Sequence, residues 1–308
     1  MKEMREMFAD TLIEIGEKNQ KLVLLEADLM NANGTKKFQD RFPSRVVNAG
    51  VAEANMVGMA AGLSAMGFIP VASTFACFAS RRAYDQFFIS GNYARRNIKL
   101  VGSDPGVLAA LNGGTHMAFE DIALMRTIPD IVVCDPCDGA SMIALVEQLI
   151  DHKGCTYMRL NRKSSTAVYD ENDRDFTLGK GRLLKDGEDV TLVASGVVLV
   201  EEALKAADIF ESQGVSAAVI DMHTIKPLDS DLIIKYAKKT GKIITCENHQ
   251  VINGLGSAVA EVLVGLDGIQ FFRIGVQGVF GQVGSVDYLK RAYGMTAESI
   301  VDAYKNKN

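Results

Sequence analysis

The chain is short of cysteine, has no cationic block and has no long hydrophobic run, and each absence closes a class of function. Five Cys among 308 residues are an odd, sparse set rather than a disulfide framework, and they fit thiols kept reduced in the cytoplasm, the location expected here. The 33 Lys and Arg are spread along the chain against 38 Asp and Glu, for a net charge of −5, so there is no electrostatic footprint for nucleic acid or an anionic membrane. The longest nearly apolar stretch, residues 67–79, is broken by Pro70, Ser73 and Thr74 and falls short of the roughly 20 residues a bilayer span requires. At the N-terminus, Met4, Phe8 and Leu12 alternate with charge, which is a helix stripe and not the apolar core of an export signal. Four His show no helical metal-ligand spacing, and no elbow motif supports Ser-His-Asp chemistry. Small molecules or proteins are left as partners.

What is present is an ordinary globular composition. Apolar residues make up 48% and charged residues 23%, which excludes a disordered or fibrous chain; the length favours two α/β-sized domains. After the opening helix, residues 22–27 form a compact apolar run ending in Asp28, a buried strand that delivers a polar residue to the kind of loop where ligands bind. A helix rich in small residues follows over residues 54–66. Strand patterns recur at residues 69–73, 98–102, 131–134 and 156–160, separated by helical patterns at 82–90, 119–126 and 139–151. The polar stretch 161–181 breaks the alternation and reads as an interdomain linker. A second series then places strands at 190–194, 216–220, 243–247 and 269–274, helices at 200–211, 228–239 and 255–264, and two terminal helices. This predicts an α/β fold of two doubly wound, mostly parallel-sheet domains, over residues 1–165 and 182–308 with a linker at 166–181.

Two segments carry candidate chemistry. Asn48-Ala-Gly-Val-Ala-Glu53 is a Gly-containing turn feeding a helix with one carboxylate at its start, and Ser73-Thr74-Phe75-Ala76-Cys77-Phe78 sets two rings three residues apart past a strand end, followed by Arg81 and Arg82. Taken singly, Glu53 reads as a first-turn acid facing the helix dipole and the rings as core. Together they are what a ring-shaped cofactor needs, a carboxylate for a ring nitrogen and a Phe face for stacking. Weaker signals read as structural: Cys134-Asp-Pro-Cys137 has no second pair to complete a zinc site, Gly254-Leu-Gly256 is a tight turn without the full dinucleotide pattern, and Met56, Met59 and Met66 are core. His249 beside Glu247 and Asn248 is a candidate polar site, whereas His152 and His223 lie in ordinary charged surroundings.

The run NAGVAEANMVGMAAGLSAMGFIPVASTFACFASRRAYDQ strongly resembles the pyrimidine-binding domain of transketolases, in the form where the enzyme is split and this is the C-terminal chain. The similarity continues through NIKLVGSDPG, NGGTHMAFEDIALMRTIPDIVV, YMRLNR, DVTLVASGVVLVEEALKAA and CENHQVINGLGSAVAE. The resemblance implies a thiamine-diphosphate enzyme that moves a two-carbon ketol unit from a ketose phosphate to an aldose. It further implies that Glu53 hydrogen-bonds the aminopyrimidine ring, that Phe75 and Phe78 line the pyrimidine pocket with Asp28 in the cofactor-binding set, that His116 contacts the sugar near the reacting carbons, and that Arg162 binds a substrate phosphate. Outside the resemblance, His116 reads as a solvated turn residue and Arg162 as surface.

Three positions depart from the family pattern. Asp104 stands where a second substrate-binding histidine is usual, Asn112 replaces an aspartate that reads the donor hydroxyl, and Ala32 replaces a phosphate-contacting serine. An anionic Asp104 disfavours a nearby phosphate, so a substrate other than the usual pentose phosphates is expected. Also missing is the family's Gly-Asp-Gly segment with a downstream Asn, which holds the diphosphate through Mg²⁺. No metal ligand is therefore assigned to this chain, and an N-terminal transketolase subunit is expected to supply diphosphate and metal sites in an α2β2 assembly. The competing readings are the β subunit of a 2-oxo acid dehydrogenase first component, a 1-deoxyxylulose-phosphate synthase-like half, and a catalytically silent scaffold.

Overall fold

The computed structural model describes residues 2–305. The first half contains β1 (Leu22–Glu26), β2 (Val46–Asn48), β3 (Ile69–Phe75), β4 (Lys99–Ser103), β5 (Val132–Cys134) and β6 (Thr156–Leu160); β1, β4, β5 and β6 are buried along their whole length, as strands covered on both faces must be. In the second half come β7 (Arg182–Lys185), β8 (Val190–Ala194), β9 (Ala217–Asp221), β10 (Thr224–Lys226), β11 (Lys242–Gln250) and β12 (Gln270–Val276). The sheet orders are β10-β5-β6-β4-β3-β1-β2 and β12-β11-β8-β9-β7. Every pairing is parallel except β10 with β5 and β7 with β9, each at a sheet edge. The doubly wound architecture is as expected.

Several elements differ from expectation, each for a local reason. The three-residue β2 and β10 and the four-residue β7 are too short to show a period. Strand β10 leaves the second half to extend the first sheet, with Asp135 N–H donating to His223 O at 2.9 Å beside the pairing. The single helix anticipated over 82–90 is a short turn, Tyr84–Gln86, continued by a π-helix, Phe87–Tyr93. There Gly91 lies where a Cβ would meet Ile98 Cδ1 at 3.3 Å, so the widened turn sits at a close approach. Residues 161–181 are strapped down rather than free: Asp138 caps the helix Gly139–Asp151 through Ser141 N–H and also accepts from the N–H groups of Val168 and Tyr169. Gln148 holds the carbonyl of the buried Phe176.

A buried polar seam joins the halves. Arg159, at the end of β6 and 1% exposed, donates to Asp121 Oδ1 at 2.5 Å and Oδ2 at 2.8 Å, to Asp135 Oδ2 at 3.3 Å, and to the carbonyl of Asn248 at 3.1 Å. Ser195 adds a bond to Asp135 Oδ2 at 3.1 Å, while Asn248 clamps Pro105 O and Val107 N–H. Burial pushes both carboxyls up, but the guanidinium holds Asp121 below the ordinary carboxylate range while Asp135 stays above it.

Candidate active site

Neighbouring parallel strands place the site residues along one edge. Asp28 follows β1, Glu53 opens the helix that follows β2, Phe75 ends β3, Asp104 follows β4 and Arg162 lies two residues past β6. In the order β6-β4-β3-β1-β2, these strands present their C-terminal ends to a common rim, where open α/β sheets bind ligands.

Glu53 is the first residue of the helix Glu53–Ala65 and is 4% exposed. That helix buries Met56, Val57, Ala60 and Ala61, which fixes the carboxylate on the inward side. Arg82 Nη1 donates to Glu53 Oε1 at 3.0 Å, and among the described residues Oε2 accepts no hydrogen bond. The same guanidinium lies 3.9 Å from the Phe78 ring centroid. Phe78 and Phe75 are 5.9 Å apart, and the His116 ring stands edge-on to them at 5.3 and 6.0 Å. The Arg82 guanidinium thus links the acid to the two rings and the histidine. Both Phe rings are half-buried rather than core, leaving aromatic surface available for stacking. A buried carboxylate with one free oxygen beside such surface fits an aminopyrimidine ring.

His116 is carried on the turn Gly113-Gly-Thr-His, with Nδ1 2.9 Å from Thr115 Oγ1. The turn is set by the second half: a Cβ on Gly114 would run into the Gly281 carbonyl, and one on Gly281 would lie 2.8 Å from Gly114 Cα. Arg162, read as surface outside the resemblance, is half-buried and pairs with Asp104, whose Oδ2 takes Nε at 2.6 Å and Nη2 at 2.5 Å. The guanidinium lies 4.7 Å from the Phe75 centroid. Asn112 is exposed on the rim of the same cleft. Asp28, at φ 63°, is latched by Asn48 Oδ1 accepting its N–H at 3.0 Å.

One cluster beneath this rim was not anticipated from sequence. Glu26, fully buried, accepts from Thr35 Oγ1 at 2.6 Å and Asn33 Nδ2 at 3.1 Å; Asn33 Nδ2 also reaches Ser73 Oγ at 3.1 Å, and Ser103 Oγ donates to Asn33 Oδ1 at 2.8 Å. Burial pushes the Glu26 carboxyl up to about 8 against these donors. The network ties together the ends of β1, β3 and β4. Its sole sequence signal is an acid closing an apolar strand, which looks like any strand end.

Other expectations need correcting. His223 is fully buried against Phe176, 5.4 Å between centroids, with Arg182 and Asp229 near enough to act on its charge, and burial lowers it to about 4. His249 belongs to the buried seam, accepting from Ala123 N–H at 3.3 Å. The turn at Gly254 does meet an anion, the chain's own Glu247, which accepts from Leu255 N–H at 2.6 Å and Gly256 N–H at 2.9 Å. Met66 is 76% exposed and not core. All five cysteines are free and buried. Among the described residues, no group of three or more His, Cys, Asp or Glu could hold a metal ion, and no helix is long and apolar enough to cross a membrane.

The fold is a two-domain α/β chain with an open strand edge that gathers an acid, two Phe rings and a histidine. Residues 1–166 match the transketolase pyrimidine-binding domain and residues 179–300 the transketolase C-terminal domain. The chain is 48% identical over 300 residues to the 6-deoxy-6-sulfo-D-fructose transketolase subunit SqwH of Clostridium sp. strain MSTE9, covering 97% of this chain and 92% of that one. It is 36% identical over 259 residues to an apulose-4-phosphate transketolase subunit of Phocaeicola vulgatus strain ATCC 8482, with 84% and 83% covered. A solved split-gene transketolase, described as an inactive β4 tetramer, superposes with a TM-score of 0.89 at 41% identity over 98% of this chain and 97% of that chain. The chain belongs to the transketolase family. It is a transketolase-type enzyme subunit of the split kind, from a thiamine-diphosphate-dependent family.

Proposed function

We propose that this chain is the C-terminal half of a two-chain transketolase, moving a two-carbon ketol unit from a ketose to an aldose only when an N-terminal chain completes the site. The observation that carries the reading is the buried Glu53 carboxylate, with Oε2 free, beside the Phe78, Phe75 and His116 rings. Thiamine diphosphate, when bound, supplies the acyl-anion chemistry that protein side chains lack. Glu53 holds a proton at the pyrimidine nitrogen, Phe75 and Phe78 pack against that ring, and Asp28 borders it from the end of β1. His116 donates to the sugar near the reacting carbons, and Asp104, Asn112 and Arg162 line its distal path in a cleft of about 560 Å³.

The diphosphate and its Mg²⁺ are assigned to the N-terminal partner, in an α2β2 assembly in the cytoplasm. The relative solved as a β-only tetramer is described as inactive, which accords with a site completed between chains. The test is reconstitution with an N-terminal chain. Ketol transfer that needs both chains, thiamine diphosphate and Mg²⁺ is the expected outcome. Transfer by this chain alone, or 2-oxo acid decarboxylation without transfer, contradicts the proposal.

A further inference from the structure

The cleft at the strand rim contains cations, yet each is already matched by a carboxylate. Arg162 gives its Nε and Nη2 edge to Asp104 Oδ2, and its backbone N–H donates to Asp104 Oδ1 at 3.1 Å. That edge is the one with which a guanidinium forks onto two phosphate oxygens. Alongside, Arg5 N–H donates to Arg162 O at 3.4 Å, while the Arg5 side chain pairs with Glu3 Oε2 through Nε at 2.7 Å and reaches Ala32 O at 2.9 Å. Glu3 Oε1 also takes Lys163 Nζ at 3.1 Å. Across the cleft, Lys205 pairs with Glu201 and Glu202, and Lys290 with Glu202 and Asp287. Among the described residues, no cation lining the cleft is left uncompensated.

We propose that Asp104, with Glu3 behind it, makes this cleft select a ketose whose distal end carries at most one negative charge, a hydroxyl or a sulfonate, over one ending in a phosphate dianion. Asp104 is 5% exposed, so its charge is weakly screened, and a dianion received by Arg162 meets twice the repulsion that a monoanion does. A hydroxyl finds an acceptor in the carboxylate and a donor in the remaining Nη1. A monoanion can take a hydrogen bond from that same free Nη1 while meeting half the repulsion from Asp104. Asp104 is here a specificity-determining residue of the site proposed above, and the inference rests on that reading.

Three donors of equal length, fructose 6-phosphate, 6-deoxy-6-sulfofructose and fructose, differ only at the distal end. Their kcat/KM values are measured on the reconstituted two-chain enzyme, with hydroxypyruvate, which has no distal end, as a fourth donor. The better of the sulfonate and hydroxyl donors is expected to exceed the phosphate by on the order of tenfold, and which one leads identifies the natural terminal group. Asp104→Asn, which keeps the shape and removes the charge, is expected to shift the ratio toward phosphate by on the order of tenfold. Glu3→Gln, which leaves the buried pair intact, shifts it the same way by less. A wild-type preference for fructose 6-phosphate, or a ratio unmoved in both variants while hydroxypyruvate is consumed, overturns the inference. Failure to use hydroxypyruvate overturns the transketolase reading itself.

Discussion

Two glutamates set within one sheet edge do different work because their surroundings differ. Glu53 has one oxygen that accepts no hydrogen bond among the described residues, whereas Glu26 is enclosed by Thr35, Asn33 and Ser73. With Glu26 raised by burial from 4.5 to about 8, the native state keeps a proton that the unfolded chain releases across that interval. Its contribution is therefore most favourable at the acid end and is lost as pH rises, by up to roughly 1.4 kcal/mol per pH unit. Glu26→Gln is expected to remove this dependence, so that melting curves place the variant progressively above wild type from pH 5 to pH 8. A wild-type minus variant difference flat in pH contradicts the assignment. Nothing in the residue pattern forecast this network, since its five side chains are spread over residues 26–103 and meet only when β1, β3 and β4 lie side by side.

At the scale of elements, the seam around Arg159 decides how the halves hold together. Replacing Arg159 by Met leaves Asp121 and Asp135 buried without their counter-charge, and a loss of about 3–5 kcal/mol in chemical denaturation is expected. Adding Asp121→Asn should recover part of it, and an unchanged midpoint in the single variant contradicts this role for the seam. Strands β5, β6, β8 and β9 and the helix Gly139–Asp151 were legible in sequence because apolar runs and amphipathic spacing report burial directly. What escaped were pairings set by tertiary context. Strand β10 is recognised only by the edge of β5, and the Gly114–Gly281 approach that sets the His116 turn joins glycines 167 positions apart (281 − 114). The Asp104–Arg162 pair escaped for the same reason: both residues were singled out, but 58 positions of chain separate them.

For the whole molecule, the proposed function makes the site one wall of a chamber. Under the proposed function this chain carries the ring-binding elements, its sequence lacks the family's Gly-Asp-Gly segment, and catalysis falls to the junction with an N-terminal chain. In the function proposed above, Glu53 holds the proton on the pyrimidine ring and so sets the coenzyme's reactivity. Deuterium exchange at the thiazolium C2 position of thiamine diphosphate bound to the reconstituted complex tests this most directly. Glu53→Gln is expected to slow exchange by about 10²–10⁴-fold with the complex still assembled and the coenzyme still bound; exchange at the wild-type rate in that variant would contradict the role given to Glu53.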